Sequence, residues 1–274
     1  MARSLDTKLM TDLFESKDQE IRRMVGADNM YVGRDDMGTL TGYDIMSQSM
    51  YALYDKKLNN NYRLGLGLSF THTDTDYNND STRKNFMVQG YVPLTYTNAR
   101  GLTAVSMARL GYSDGDYKRY ADNKSFEADI NGITYGLLNE LRYTINANGI
   151  KVTPFVGLNA IGWYQDKIDE GDSNLALDVA SSHVFSLESA LGLYLDKDIE
   201  FNHDNKLNMA LGLGYYHEFA NPYKGMDARH HGSEGGFKLR HRKLNNRDRG
   251  ILSAKVNYDY KDFSIYGELM QYLE

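Results

Sequence analysis

The densest run of potentially chemical side chains is cationic: residues 224–249 contain Arg229, Lys238, Arg240, Arg242, Arg247 and Arg249 together with the pair His230 and His231. Guanidinium and ammonium groups gathered in a polar connection suit phosphate, so Lys238, Arg240 and Arg242 are the expected contact for lipopolysaccharide. A solvated β-extension carrying the same three side chains on its polar side is the simpler reading. Two adjacent histidines without a third ligand do not make a zinc site. His183, Ser186, Asp178 and Glu188 supply the residue types of a hydrolase, but in a strand the odd and even positions face opposite sides, which separates His183 from Ser186. The aspartates at 74, 76 and 80, and the acids at 166–172, lack the ordered spacing of a calcium loop. Gly65 and Gly67, like Gly212 and Gly214, continue as strand instead of opening a helix, so they are not nucleotide fingerprints. No catalytic residue, metal or cofactor is expected.

Composition narrows the classes further. The 274 residues include no cysteine, which removes thiol nucleophiles, thiolate zinc sites and disulfide scaffolds. A net charge of -6 argues against a nucleic-acid surface. Mean hydropathy is -0.57, and no stretch approaches the roughly 18 apolar residues of a membrane-spanning helix. The 22 tyrosines against 10 Phe and 1 Trp are the compositional anomaly, and they suit strands meeting a polar boundary. The amino terminus has no secretory apolar region, so an exported protein of this kind is expected to carry its signal farther upstream.

The elements that must position these side chains fall into two periods. Residues 4–25 predict one helix, with Leu5, Leu9 and Leu13 four apart and Phe14, Ile21, Met24 and Val25 widening the stripe; Arg22 falls within it. Twenty-two residues at 1.5 Å span about 33 Å, enough to thread a bilayer-sized barrel from rim to rim. Beyond residue 28 the period becomes 2. Leu64, Leu66, Leu68 and Phe70 alternate with Arg63, Gly65, Gly67 and Ser69, and the pattern returns at 86–96, 133–145, 185–195, 207–215, 252–258 and 263–269. Tight turns are expected at 59–60, 98–101, 146–149 and 261–262, with a slightly longer connection at 200–205 on the same side by parity, and long polar connections at 73–83, 113–128, 166–174 and 221–249. Short turns on one rim and long loops on the other describe an outer-membrane barrel.

In that barrel the apolar face meets lipid, and the other face, with Arg63, Arg109, Glu140, Arg142 and Glu188, lines an aqueous lumen. The fold class expected is therefore all-β: a transmembrane antiparallel β-barrel with an N-terminal α-helix in its pore, divided into residues 1–28 and 29–274. About 11 strands are readable where an even number is expected, so either the last strand is missing or part of 237–243 supplies another, which as a single crossing would reverse the turn parity downstream.

The order of parts carries a resemblance. Helix, Gly42-Tyr-Asp, Tyr62-Arg-Leu-Gly-Leu-Gly-Leu-Ser-Phe-Thr, Val152-Thr-Pro-Phe-Val-Gly-Leu and Tyr215-Tyr-His-Glu-Phe together resemble the autotransporter β-domain of type V secretion. The resemblance implies a 12-strand outer-membrane barrel with a pore helix, an upstream passenger exported to the cell surface, assembly by the barrel assembly machinery, and a monomer. Some members cut their passenger at paired asparagines in the pore helix; residues 4–25 contain none, so that self-cleavage is not expected. The alternative reading is a stand-alone porin-like or adhesin-type barrel with binding loops.

Overall fold

The structure, a computed structural model, describes residues 2–15, 20–36, 41–202, 205–220, 225–239, 247–260 and 263–273. Among the described residues one helix, α1 (Ala2–Glu15), is followed by seventeen strands. In chain order these are β1 (Ile21–Arg34), β2 (Tyr43–Lys57), β3 (Tyr62–Tyr77), β4 (Thr82–Thr97), β5 (Leu102–Ala121), β6 (Lys124–Asp129), β7 (Gly132–Tyr143), β8 (Ile145–Ala147) and β9 (Ile150–Gln165). The rest are β10 (Ile168–Asp169), β11 (Leu177–Val179), β12 (Ser182–Asn202), β13 (Asn205–Glu218), β14 (Met226–His230), β15 (Gly236–Leu239), β16 (Asp248–Tyr260) and β17 (Phe263–Leu273).

Eleven of the strands form one antiparallel path, β1-β2-β3-β4-β5-β7-β9-β12-β13-β16-β17, with β6 and β8 paired at its margins. Among the described residues no ladder joins β1 to β17. The helix ends earlier than the apolar period predicts: Ile21 and Arg22 belong to β1, paired with Lys56 and Asp55, and are not helical. The correction has a local cause. Ile21, Arg23 and Val25 alternate with Arg22 and Met24, so residues 21–25 satisfy either period, and the ladder to β2 supplies backbone partners that a continued helix would forfeit. Fourteen helical residues span about 21 Å, short of the rim-to-rim thread.

The long connections are also more ordered than their polarity suggests. β3 and β4 continue as a hairpin to residues 78–81, and β5 runs for 20 residues before a turn with positive φ at Asp122 and Asn123. A bilayer needs only about 9–11 residues per strand, so these hairpins extend well past it. At the short-turn rim, Asn148 and Gly149 both take positive φ, the conformation a two-residue hairpin demands. The remaining connections pair among themselves as a second sheet, β10-β11-β14-β15. It encloses its own core of Ile130, Ile168, Leu177, Val179 and Ala228. Because β14 and β15 form a hairpin, the chain crosses there twice and the up-down alternation downstream is preserved.

The outer face of the main sheet is apolar. Leu64, Leu66, Leu68 and Phe70 all point away from the interior, with Leu66 65% exposed, as do Leu137, Leu141, Val156, Leu191, Leu211, Leu213, Leu252 and Val256. Tyr54, Tyr62, Tyr143 and Tyr258 stand exposed toward the short-turn rim, and Phe70, Phe86, Tyr112, Tyr135 and Tyr215 toward the other. Tyr62 to Phe70 is eight residues, about 26 Å along the strand. Such a belt between two aromatic girdles matches the apolar band of a membrane barrel.

Candidate functional site: the bore and its helix

The inner face of the sheet curls around α1. Leu5, Leu9 and Leu13, four residues apart, form one stripe that is at most 2% exposed. It packs with Met10 against Tyr51, Leu53, Tyr91, Val105, Met107 and Leu138 on the inward faces of β2, β4, β5 and β7. This corrects the expectation of a helix surrounded by water: the middle of the bore holds a dry apolar contact. Those wall residues were hidden in the sequence because each strand contributes only one or two apolar positions to a face that otherwise reads polar. Tyr51 shows how the fit is achieved, since its ring lies over Gly26, where any Cβ would overlap it, and its hydroxyl donates to Asp12 of the helix.

Charges fix the helix at both ends. Asp6, 2% exposed, pairs with Arg109 of β5, which also donates to Thr134 Oγ1 at 3.4 Å. At the other end Arg22 Nη1 donates to the carbonyl oxygen of Leu13 at 3.2 Å. Arg22 is in turn held by Asp55, which accepts Arg63 Nε at 2.7 Å. Each buried cation therefore has a carboxylate within reach, the condition for tolerating it away from water.

The other inward groups line the opposite wall. Arg142 Nε donates to Glu140 at 2.6 Å and its guanidinium lies 3.8 Å from the centre of the Phe14 ring and 4.4 Å from that of Tyr194. Arg249 donates to both oxygens of Glu188, at 3.0 and 2.8 Å. Between α1 and this wall a narrow cleft is lined by Thr7, Thr11, Phe155, Tyr194, Tyr216 and Ser253, among others.

The residues weighed for catalysis do not converge. Ser186 faces inward and donates to Glu218, whereas His183 faces outward with Nε2 2.6 Å from the Tyr135 hydroxyl. Asp178 lies in the second sheet, where Arg229 donates to it at 3.0 Å. His231 sits 3.7 Å from Asp172 and 3.9 Å from Asp178, while the His230 ring rests against Phe237. Among the described residues no group of three metal-ligating side chains forms. Lys238 is on β15, 3.5 Å from Asp227; Arg240 and Arg242 lie outside the described residues, as does the turn at 261–262.

Arg119 and Asp198 are among the charged groups perturbed outside the membrane band. The Arg119 pKa is raised, chiefly by its hydrogen bond to Glu170, in a pair that also ties down the 166–181 connection through Leu175 and Leu177. Asp198 lies near the short-turn rim, beside the outward-facing Lys197 that ends the apolar belt. Burial alone would raise its pKa, but hydrogen bonds from Lys151, Asn208 and Lys206 outweigh that and hold it at about 2. The unfolded carboxylate takes up its proton near 3.8, so this stabilisation is complete above that pH and is lost as pH falls toward 2. The loss amounts to at most about 2 kcal/mol. Asp198→Asn is expected to flatten the fall in unfolding temperature between pH 4 and 2, read as the shift of the compact band on gels; an unchanged slope would contradict the assignment.

Residues 25–269 match the family of the Autotransporter beta-domain. The chain belongs to the autotransporter β-domain family. Solved members show the same fold at low identity. The translocator domain of the autotransporter NalP from Neisseria meningitidis superposes with a TM-score of 0.69 at 14% identity, covering 100% of this chain and 95% of that one. The β-domain of the Bordetella autotransporter BrkA gives 0.68 at 17% identity, covering 93% of each chain. The transport unit of AIDA-I from Escherichia coli gives 0.53 at 11%, covering 99% of this chain and 91% of that one. No curated protein matches by sequence. As an autotransporter β-domain the chain is an outer-membrane translocator, its strands crossing the bilayer and an upstream passenger implied by the family.

Proposed function

We propose that this β-domain exports its passenger by physical means alone, without covalent chemistry: the sheet excludes lipid, the bore conveys an extended chain, and α1 then occupies the bore. The observation that carries this reading is the two-sided wall, with leucines such as Leu66 exposed outward and Leu9 of the helix only 1% exposed inside. A helix so well matched to the wall suits a finished state that seals the channel. The inward ion pairs, Arg63 with Asp55, Arg142 with Glu140 and Arg249 with Glu188, leave few bare charges to arrest a passing polypeptide. Assembly by the barrel assembly machinery as a monomer belongs to the same proposal, as does contact of Lys238, Arg240 and Arg242 with lipopolysaccharide phosphates. Replacing those three by glutamine is expected to lower the lipopolysaccharide retained on the purified protein; equal retention would remove that partner.

The deciding experiment places a secreted, unstructured reporter ahead of residue 1 and follows its protease accessibility on intact cells. Surface exposure of the reporter is expected. Retention in the periplasm beside a folded barrel that shifts on heating would instead favour the stand-alone barrel.

A further inference from the structure

Helix α1 fills only part of the depth of the bore. Asp6 meets Arg109 of β5, whose cross-strand partner Tyr91 is in turn paired with Gly67, midway between the two aromatic girdles. From Asp6 back to Ala2 the helix rises only about 6 Å farther toward the long-loop side. β5 continues from Arg109 to Arg119, about 33 Å of strand and about 25 Å of height at a tilt near 40°. The outer part of the bore lies beyond the reach of α1.

The second sheet leans over that part. Along β5 the odd positions face inward, from Val105, Met107 and Arg109 on to Tyr117 and Arg119, and their partners Ala128 and Phe126 of β6 share that face. Tyr117 and Ala128 pack against the core of the second sheet. Arg119 Nε donates to Glu170 at 2.8 Å, and its Nη2 donates to the carbonyl oxygen of Leu175 at 2.8 Å. Glu170, its side chain 2% exposed, also accepts from the backbone N–H of Leu177 at 2.9 Å. On β9 the inward-facing, buried Gln165 donates to the sulfur of Met226 on β14 at 3.8 Å. The wall thus holds the four-stranded sheet by the concave side of β5, β6 and β9, which sets it over the opening and not outside the rim.

We infer that β10, β11, β14 and β15 form an outer cap that narrows the mouth of the bore above α1, with Arg119 as the positioning residue that latches it to the wall. The bore then has two closures in series, the helix on the short-turn half and the cap on the long-loop half. The inference rests on the reading in which α1 occupies the finished bore, and extends it. The cap strands take no part in the ladders of the main sheet, so the cap can open without dismantling the wall.

The chain has no cysteine, so single cysteines on the purified, folded full chain report each level by their rate of reaction with a small charged thiol reagent. Gln165→Cys reads lifting of the cap, and Thr7→Cys, in the cleft beside α1, reads access to the bore beneath it. Arg119→Ala strips the buried Glu170 of its cation and is expected to speed both reactions at least about tenfold, while the compact gel band before boiling persists. Leu177→Asp, which places a carboxylate in the apolar core of the cap, frees the sheet by a second route if loss of the latch does not. A gain at Gln165→Cys with an unchanged rate at Thr7→Cys would show that the sheet does not stand over the bore, and would overturn the cap. So would an unchanged Gln165→Cys rate in both variants. These rates are read without a passenger, so a reporter that failed to reach the cell surface would count against the translocator reading and leave the cap standing.

Discussion

Leu66→Arg is expected to destabilise the folded barrel in lipid vesicles by about 2–4 kcal/mol, and Tyr62→Arg by only about 0–1 kcal/mol. Both side chains point outward on β3, and they differ in depth. Leu66 lies midway between Tyr62 and Phe70, where a guanidinium would meet hydrocarbon, whereas Tyr62 stands at the rim beside Tyr96, the ring centres 5.0 Å apart. An arginine there can reach headgroups and water. Urea titration of vesicle-reconstituted protein, followed by loss of the compact gel band, measures both. A neutral Leu66→Arg would mean that the leucine face does not meet lipid, and the membrane placement would fall with it.

Arg109→Ala should have the second large effect, because it deprives the buried Asp6 carboxylate of its cation. Breaking a buried pair from one side typically costs about 3–5 kcal/mol. Here the protein has an escape that a globular core lacks: α1 can leave the bore and hydrate Asp6, while the sheet keeps its ladders and its lipid contacts. The expected outcome is therefore a barrel that still shifts on heating but whose residues 2–15 become accessible to protease. Asp6→Asn together with Arg109→Gln removes both charges and should recover most of the protection. If Arg109→Ala left the helix as protected as before, the apolar stripe alone would account for docking.

Such predictions depend on which details were legible beforehand. The two-residue alternation from Tyr62 to Phe70 already assigned Arg63, Arg109, Arg142 and Glu188 to the side opposite the leucines, and all four are buried on the inward face. Strand parity likewise separated His183 from Ser186. The helix boundary was not legible, because Ile21 to Val25 fits both periods and only the ladder with β2 decides between them. Nor were the long hairpins: beyond Phe70 the inward positions of β3 are the small polar Thr71, Thr73 and Thr75, buried though they are, and the outward ones include His72 and Asp76, so hydrophobic alternation fades and backbone pairing leaves little trace in side-chain type.

By itself, then, the order of the residues determined the class of wall, its orientation in lipid and the separation of His183 from Ser186, since period and parity are local properties of a strand. Tertiary structure alone decided that Tyr51, Leu53, Tyr91, Val105, Met107 and Leu138 meet the leucine stripe of the helix: they come from four strands, and only the curl of the sheet around α1 makes them one surface. The same holds for Arg22, whose partners Asp55 and Leu13 are set by register and by where the helix stops. Long-range pairing, not residue type, turns scattered inward positions into a socket.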